Sequence, residues 1–423
     1  MARIAPFNGI RYNASLDGEL DRLTCPPYDI ISPADRIHYH EIHPNNFVRL
    51  ILGEERDTDN DSENRFLRSR SYLEQWLASG ILRPDERPAL YIYEQRFERD
   101  GKPRQIRGIV CAVKLHPYSD RVILPHENTL AKPKSHLIPL IHAAKADLDS
   151  VYGLYDDENG AIESLLDAAS SGKPAADVID RDGVRHVLWV YDDPAGIARI
   201  AGFMADKQIA IADGHHRYET ALAYGQEMRE NASGPEELGS DYVLMTIANV
   251  RQKDMTILPT HRVVGSVPEE LLSGLRASLA ELFEIGRSSR ETILADMVGR
   301  GAIGMYEPSG AVTLKLKRDP ASLLDGSDAN RRLELNVLHK LILERSLAID
   351  EEKLRNQTHI VYTRDADEAM DLVDCGERQL AFLLNNISVK SVLDLAAAGE
   401  KMPQKATYFY PKLLSGLVLR TLD

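Results

Sequence analysis

Residues 207–230 read "KQIAIADGHHRYETALAYGQEMRE". Ile209–Ala212 is a short apolar run that predicts a buried strand. Asp213-Gly214 predicts a tight reversal, because glycine enters positive φ without a Cβ clash. From His215 the period becomes helical: Tyr218, Ala221, Leu222 and Gly225 fall on one face, as packing on a sheet requires. Neighbouring stretches repeat the alternation. "RHVLWVYDD" (185–193) predicts a strand, "PAGIARIAGFMAD" (194–206) a helix with proline in its first turn, and "DYVLMTIANV" (241–250) a buried strand. Upstream, "ALYIYEQRF" and "RGIVCAVKL" predict two strands joined through Asp100-Gly101, a strong hairpin signal. Together these predict an α/β or α+β core.

The flanks extend this reading. Before the core, Ser32 and Pro33 cap and open a short helix, and "ENRFLRSRSYLEQWLASG" predicts a longer one stopped by Gly80. After it, 267–285 and 331–349 each predict a helix, the second with Leu335, Leu338 and Ile342 on one stripe. "GAIGMYEPSGAVTLKLKRD" predicts a hairpin, and 367–400 predict helix, strand, helix. At about 150 residues per domain, 423 residues suggest two to three domains. The expected division is an N-terminal loop-and-helix segment (1–88), a central core (89–265) and a C-terminal α+β domain (266–423).

Composition narrows the function. The chain carries 51 basic and 65 acidic residues, a formal charge of −14, which disfavours a nucleic-acid backbone binder but leaves room for a local anion site. Its three cysteines are far apart and form no CxxC pair, so neither a disulfide framework nor a structural zinc site is expected. No long apolar run predicts a membrane span, and "MARIAPFNGIRYN" has no signal-peptide core. A cytoplasmic protein that binds no nucleic acid and no membrane is expected, and an oligomer is compatible with the sequence.

The strand–turn–helix context gives Asp213–Arg217 its chemical meaning. First-turn N–H groups of a helix favour an anion, and Arg217 can grip phosphate oxygens in a fork. Asp213 could orient Mg²⁺ or polarise a hydroxyl, and a histidine could move a proton near neutral pH. A capped turn with surface histidines would carry the same letters. Zinc is disfavoured, because adjacent His215 and His216 point in different directions. No GxxxxGK[ST] or GxGxxG motif is present.

"IADGHHRYETAL" resembles the phosphate-binding box of the ParB/sulfiredoxin fold, in the Asp-Gly-His-His-Arg version of free serine kinases. With "CPPYD", "HPNNFVRLI", "LPHENTLAKPK", "LPTHR" and "MPQKATYFYPKLLSGL", the chain resembles the family of domain of unknown function 1015 along nearly its whole length. The resemblance implies a ParB/sulfiredoxin-like nucleotide-binding core with added N- and C-terminal α+β elements. It also implies ATP or ADP with Mg²⁺, and transfer of a phosphoryl group to the hydroxyl of a small molecule such as free L-serine. Asp213, Gly214, His215, His216 and Arg217 would then serve the phosphates, with Asp213 and His216 catalytic and Asp213 on the metal. Serine kinases of this type also use an upstream glutamate as base, for which Glu127 in "LPHENT" is the candidate, with His126 beside the substrate.

Further candidates have less context. His261 and Arg262 of "LPTHR" could contact an anion at a strand end. Lys405 and Lys412 bracket Thr407, Tyr408, Phe409 and Tyr410, a basic and aromatic mix suited to a nucleotide. The family's usual serine is replaced here by Ala406. Tyr28 and Asp29, presented by the "CPP" loop, could bind substrate, and Lys132 and Lys134 could meet phosphate. A nucleotide-dependent switch without turnover, or a phosphoserine-directed phosphatase, would use the same cradle.

Overall fold

The computed structural model describes all residues except 128, 130, 300, 404 and 423; the side chains of 131–134 also lie outside the described set. Lys132 and Lys134 therefore fall outside the described side chains. The chain divides into two units. The first comprises Met1–Pro125, Thr129–Met255 and Pro411–Asp423; the second comprises His126–Asn128 and Thr256–Tyr410. This differs from the three segments expected. Residues 1–88 pack within the first unit, the boundary falls at 255/256, and the last thirteen residues return to the first unit. Sequence periodicity marks elements but not which core they join.

The first unit is built on a nine-stranded mixed sheet. Its path runs Ile123–Leu124, Ile209–Asp213, Val151–Tyr155, Tyr242–Asn249, Lys102–Lys114, Leu90–Arg99, Arg185–Tyr191 and Ala176–Ile179; Ile4–Ala5 pairs with Lys102–Lys114 off this path. Two pairings are parallel, Ile209–Asp213 with Ile123–Leu124 and Tyr242–Asn249 with Val151–Tyr155; the others are antiparallel. The Asp100-Gly101 hairpin forms as predicted, both residues at positive φ, with Arg99 opposite Lys102. Helices Pro194–Met204 and His215–Asn231 follow their strands. Asp193 caps the first through its side chain, and proline fills the first turn.

Apolar residues from strands and helices meet in one core that includes Ile92, Ile109, Val187, Ile200, Ile209, Ile211, Tyr218, Ala221 and Ile247. Tyr218 and Ala221 are buried, as the helical face predicted, and so is Gly225, where a Cβ would lie 2.4 Å from the Ser240 carbonyl oxygen. Leu222 is only half-buried. The N-terminal helices Pro33–Ile42 and Arg65–Ala78 begin at the side-chain caps Ser32 and Asn64.

The second unit carries a six-stranded antiparallel sheet, ordered Phe283–Ser288, Gly310–Leu316, Ala302–Glu307, Leu380–Leu383, His261–Val264 and Ile360–Thr363. The hairpin near Pro308 and the helices Ala366–Asp374 and Val389–Ala398 form as expected. Two predicted helices differ. The first stops at Leu282, and Phe283 starts a strand pairing with Gly310–Leu316. The second is broken at Leu333, which is extended, and contains a π-helical stretch at Leu338–Glu344. Leu335, Leu338 and Ile342 are nonetheless buried, so their apolar stripe was read correctly even though the backbone is irregular. Among the described residues, no helix is long and apolar enough to cross a membrane.

Candidate functional site

The turn after the Ile209–Asp213 strand is shaped by two local features. The strand carries an irregularity between Ile211 and Asp213, which shifts the register against Val151–Tyr155. Gly214 then takes φ +88° and heads the 17-residue helix His215–Asn231 without a side-chain cap. A Cβ on Gly214 would lie 2.9, 3.0 and 3.1 Å from Arg217 Nε, Cζ and Nη2. Glycine is thus required twice, for its backbone angle and because the Arg217 guanidinium folds back over the turn.

The charges at this turn are paired and largely withdrawn from water. Asp213 Oδ2 accepts from Arg217 Nη2 at 2.9 Å, and Asp213 Oδ1 accepts from Lys412 Nζ at 2.8 Å. Arg217 also donates through Nη1 to the Ser150 carbonyl. The Arg217 and Lys412 side chains are 8% and 10% exposed. Burial alone would raise the Asp213 carboxyl, but Lys412, Arg217 and His215 outweigh it and hold it well below the usual carboxylate range. Asp213 is therefore an anion at every working pH and a weak proton acceptor. Burial opposes the charge of Arg217, yet Asp213, Asp149 and Asp29 together strengthen it. Asp149 is raised by burial, against the pull of Arg217 and a hydrogen bond from the Ser415 hydroxyl.

Arg217 lines two small cavities. One, of about 20 Å³, also touches Tyr93, Asp149, Ser150 and Ser415. The other, of about 50 Å³, is mostly apolar and touches Tyr28, Leu140, Asp149, Thr220 and Val243. Tyr28 opens a short 3₁₀ turn after Pro27, and its ring stacks on His136 with centroids 5.2 Å apart. One face of that ring is therefore occupied. Burial, then Asp29, push the Tyr28 hydroxyl up. Asp29 is exposed, His215 is buried and His216 is half-buried at the second helical position.

The first unit thus gathers Tyr28, Asp29, Asp213, Gly214, His215, His216, Arg217 and Lys412. Sequence reading missed Asp149, Ser150 and Ser415. Asp149 and Ser150 sit in the plain stretch "DLDS", which carries no motif; Ser415 lies at the end of "MPQKATYFYPKLLSGL", where the lysines and aromatics were read and the serine was passed over.

The remaining candidates lie in the second unit. Glu127 Oε1 accepts from the Lys405 backbone N–H at 2.5 Å, and Lys405 holds φ +55°. The Lys405 carbonyl accepts from Arg262 Nη2 at 3.0 Å. Lys405 therefore acts here through its backbone, and the expected bracket of two lysines around the aromatics is divided, with Lys412 in the first unit. His126 is fully buried, its Nε2 2.9 Å from the Thr407 hydroxyl and its ring edge-on to Phe409. His261 is buried, and its Nδ1 accepts from Leu384 N at 3.2 Å. Burial and then Arg262 lower its pKa to about 4, so the ring is neutral near pH 7 and supports the strand rather than offering charge to an anion.

Among the described residues, no group of three or more His, Cys, Asp or Glu is arranged to hold a metal ion. Asp213 offers a single carboxylate whose oxygens already meet two cations, although each oxygen keeps a further lone pair.

Fold and site together define a mixed α/β protein with a buried cation–carboxylate cluster at a strand–helix turn. The chain belongs to the family described as protein of unknown function (DUF1015), whose model matches residues 4–340. No curated protein matches in sequence. Among solved structures, the chain is similar to a conserved hypothetical protein from Pyrococcus furiosus at 12% identity, with 72% of this chain and 92% of that one covered and a TM-score of 0.35. It is similar to a free serine kinase in complex with AMP at 12% identity, covering 71% and 86%, with a TM-score of 0.36. It is also similar to C-terminally truncated SbnI from Staphylococcus aureus at 12% identity, covering 72% and 85%, with a TM-score of 0.37.

Proposed function

We infer that the protein is a nucleotide-dependent phosphotransferase acting on the hydroxyl of a small molecule, with free L-serine as the first acceptor to test. The observation that carries this reading is the Asp213–Arg217 turn. It sets an uncapped helix start, a buried arginine and a buried lysine around one carboxylate. Such a turn suits phosphate, because first-turn N–H groups and a guanidinium fork address several oxygens at once. Its ParB/sulfiredoxin-like role belongs to this proposal, and its letters resemble the box of free serine kinases.

The roles follow from the charges. Arg217 and Lys412 would hold the phosphates of ATP or ADP and neutralise charge developing in transfer. Asp213, held ionised, would position these cations and accept a hydrogen bond from the acceptor hydroxyl; its low pKa makes it a poor base. Mg²⁺ commonly takes one or two carboxylates plus phosphate oxygens, and Asp213 is the carboxylate that would hold it, where it would offset phosphate charge. His216 is the proposed proton-moving side chain at the helix start, and the base remains to be assigned by substitution, with Glu127→Gln as the first variant.

The test is direct. Purified protein is incubated with ATP or ADP, Mg²⁺ and pooled amino acids, and products are read by mass spectrometry. O-phosphoserine is the expected product. If nucleotide binds but no amino acid is phosphorylated, the kinase reading fails and a nucleotide-dependent switch takes its place. Arg217→Ala should weaken nucleotide binding; unchanged affinity would place the cradle elsewhere.

A further inference from the structure

The second unit contains a buried arginine that, among the described residues, forms no ion pair. Arg262 has zero exposure and is among the largest fully buried side chains. Its hydrogen bonds go to two carbonyls, those of Thr260 and Lys405, and its Nε has no partner. The Tyr362 ring lies 5.4 Å from the guanidinium carbon, and among the described residues no carboxylate forms an ion pair with it. Tyr362 and Glu127 act on it from a distance, and His339, also buried and with Nε2 unpartnered, lies in the same field. Burial pulls the Arg262 pKa down to about 10, still far enough above neutrality to keep it charged. Buried charges are ordinarily paired, because an isolated one costs several kcal/mol.

Arg262 lines a cavity of about 270 Å³. Thr260, one of its carbonyl partners, and Ala406, next to the other, are also in the wall. Asn386, Ser388, which caps the ten-residue helix Val389–Ala398, and Ser391 in its first turn also line the cavity. Ser388 caps that helix by accepting from Ser391 N at 3.0 Å. A helix start and an uncompensated guanidinium thus border one space. Arg332, also in the wall, is already paired with Asp319 and Asp328. The wall's carboxylate, Glu334, is turned onto Asn385, accepting from its N at 3.0 Å and its Nδ2 at 2.8 Å. Burial raises the Glu334 pKa, against the two hydrogen bonds from Asn385, which engage both of its oxygens.

We propose that this cavity is a binding site for a small oxyanion, carboxylate or phosphate, with Arg262 as its counter-ion and the start of the Val389–Ala398 helix as its second contact. The site stands independently of the phosphotransferase reading, since none of its residues belongs to the Asp213 cluster. A volume near 270 Å³ suits a small metabolite and is below the usual range for a drug-sized ligand.

The experiment is hydrogen–deuterium exchange of the full chain with inorganic phosphate or succinate, followed at peptides covering 385–391 and 211–218. Anion should slow exchange in 385–391. Ser391→Asp adds a carboxylate at a first-turn position where an acidic residue suits the helix, so folding is retained. It should weaken the anion effect on the order of tenfold or more through like-charge repulsion. Arg262→Met should abolish the effect while leaving the melting temperature equal or higher, because an uncompensated charge is removed. Arg217→Ala should leave the 385–391 effect intact, which separates this site from the Asp213 turn. The two anions distinguish phosphate from carboxylate ligands. No protection of 385–391 by either anion, or protection that survives Ser391→Asp undiminished, overturns the proposal.

Discussion

Replacing Asp213 by asparagine tests the charge balance of the turn. The substitution keeps shape and removes one negative charge that two cations share at 2.8 and 2.9 Å. Both cations are mostly buried, with side-chain exposures of 8% and 10%, so water cannot fully take over. Removing one partner of a buried pair costs about 3–5 kcal/mol, because the other charge is left uncompensated. For a cooperative unit of this size, that loss lowers the melting temperature by about 6–10 °C. The wild-type contribution should also depend on pH in one direction. Asp213 is held below its unfolded value of about 3.9, so its stabilisation is complete above roughly pH 5 and drains away as pH falls through the folded value. Asp213→Asn should flatten that acid limb.

A second readout separates a structural pair from an anion site. With Asp213 neutral, Arg217 and Lys412 seek another negative charge. Pyrophosphate should therefore raise the melting temperature of the variant more than that of the wild type. Calorimetry with and without pyrophosphate, from pH 3 to 8, measures all three effects. A loss under about 1 kcal/mol would mean that solvent reaches the pair, as in exposed ion pairs, and would refute the electrostatic reasoning. A full loss of stability with no pyrophosphate gain would keep the pair and reject the cradle.

Other substitutions probe separate links. Gly214→Ala must hold a positive φ and place its Cβ against the Arg217 guanidinium, so we expect a loss of about 1–3 kcal/mol in urea titration together with weakened nucleotide binding; a neutral result would show that the turn relaxes freely. Arg420→Met removes a buried guanidinium that donates to Asp147 at 2.8 and 3.1 Å and to the Gly239 carbonyl at 3.0 Å, and should destabilise the first unit by about 3–5 kcal/mol in calorimetry. Cys25 and Cys111 are buried with their thiols pushed up by burial, whereas Cys375 is exposed; a thiol reagent should therefore modify one cysteine rapidly in native protein and three after denaturation.

Local chemistry was legible where it determined local geometry. Asp100-Gly101 and Asp213-Gly214 announced their turns because glycine enters positive φ without a Cβ clash, and Asp100, Gly101 and Gly214 all take positive φ. The buried face of the His215–Asn231 helix followed from its period. Legibility failed where long-range pairing decided. Lys412 was expected to serve the same phosphate site, but its direct ion pair with Asp213, 199 residues earlier, was not legible, because the chain's last segment rejoins the first sheet's unit only in the fold. Asp149 was unreadable for the same reason. The strand at Phe283 replaced a predicted helical end because its partner strand, Gly310–Leu316, lies across a sheet rather than along the sequence.

The two His-Arg pairs show how far this reaches into function. As letters, "HHR" at 215–217 and "THR" at 260–262 offer the same chemistry, and both were read as anion contacts. In the fold they are electrical opposites. Arg217 is surrounded by Asp213, Asp149 and Asp29, so its charge is satisfied before any ligand arrives, and an incoming phosphate must compete with carboxylates. Arg262 has carbonyls, a tyrosine ring and the more distant Glu127 but, among the described residues, no ion pair, so an anion there neutralises a buried charge with less competition. A competed cradle favours exchange, as turnover requires, whereas an uncompensated arginine favours retention. Measured anion off-rates should therefore be faster at the Asp213 turn than at the Arg262 cavity, and the reverse order would mean that carboxylate competition does not govern the first site.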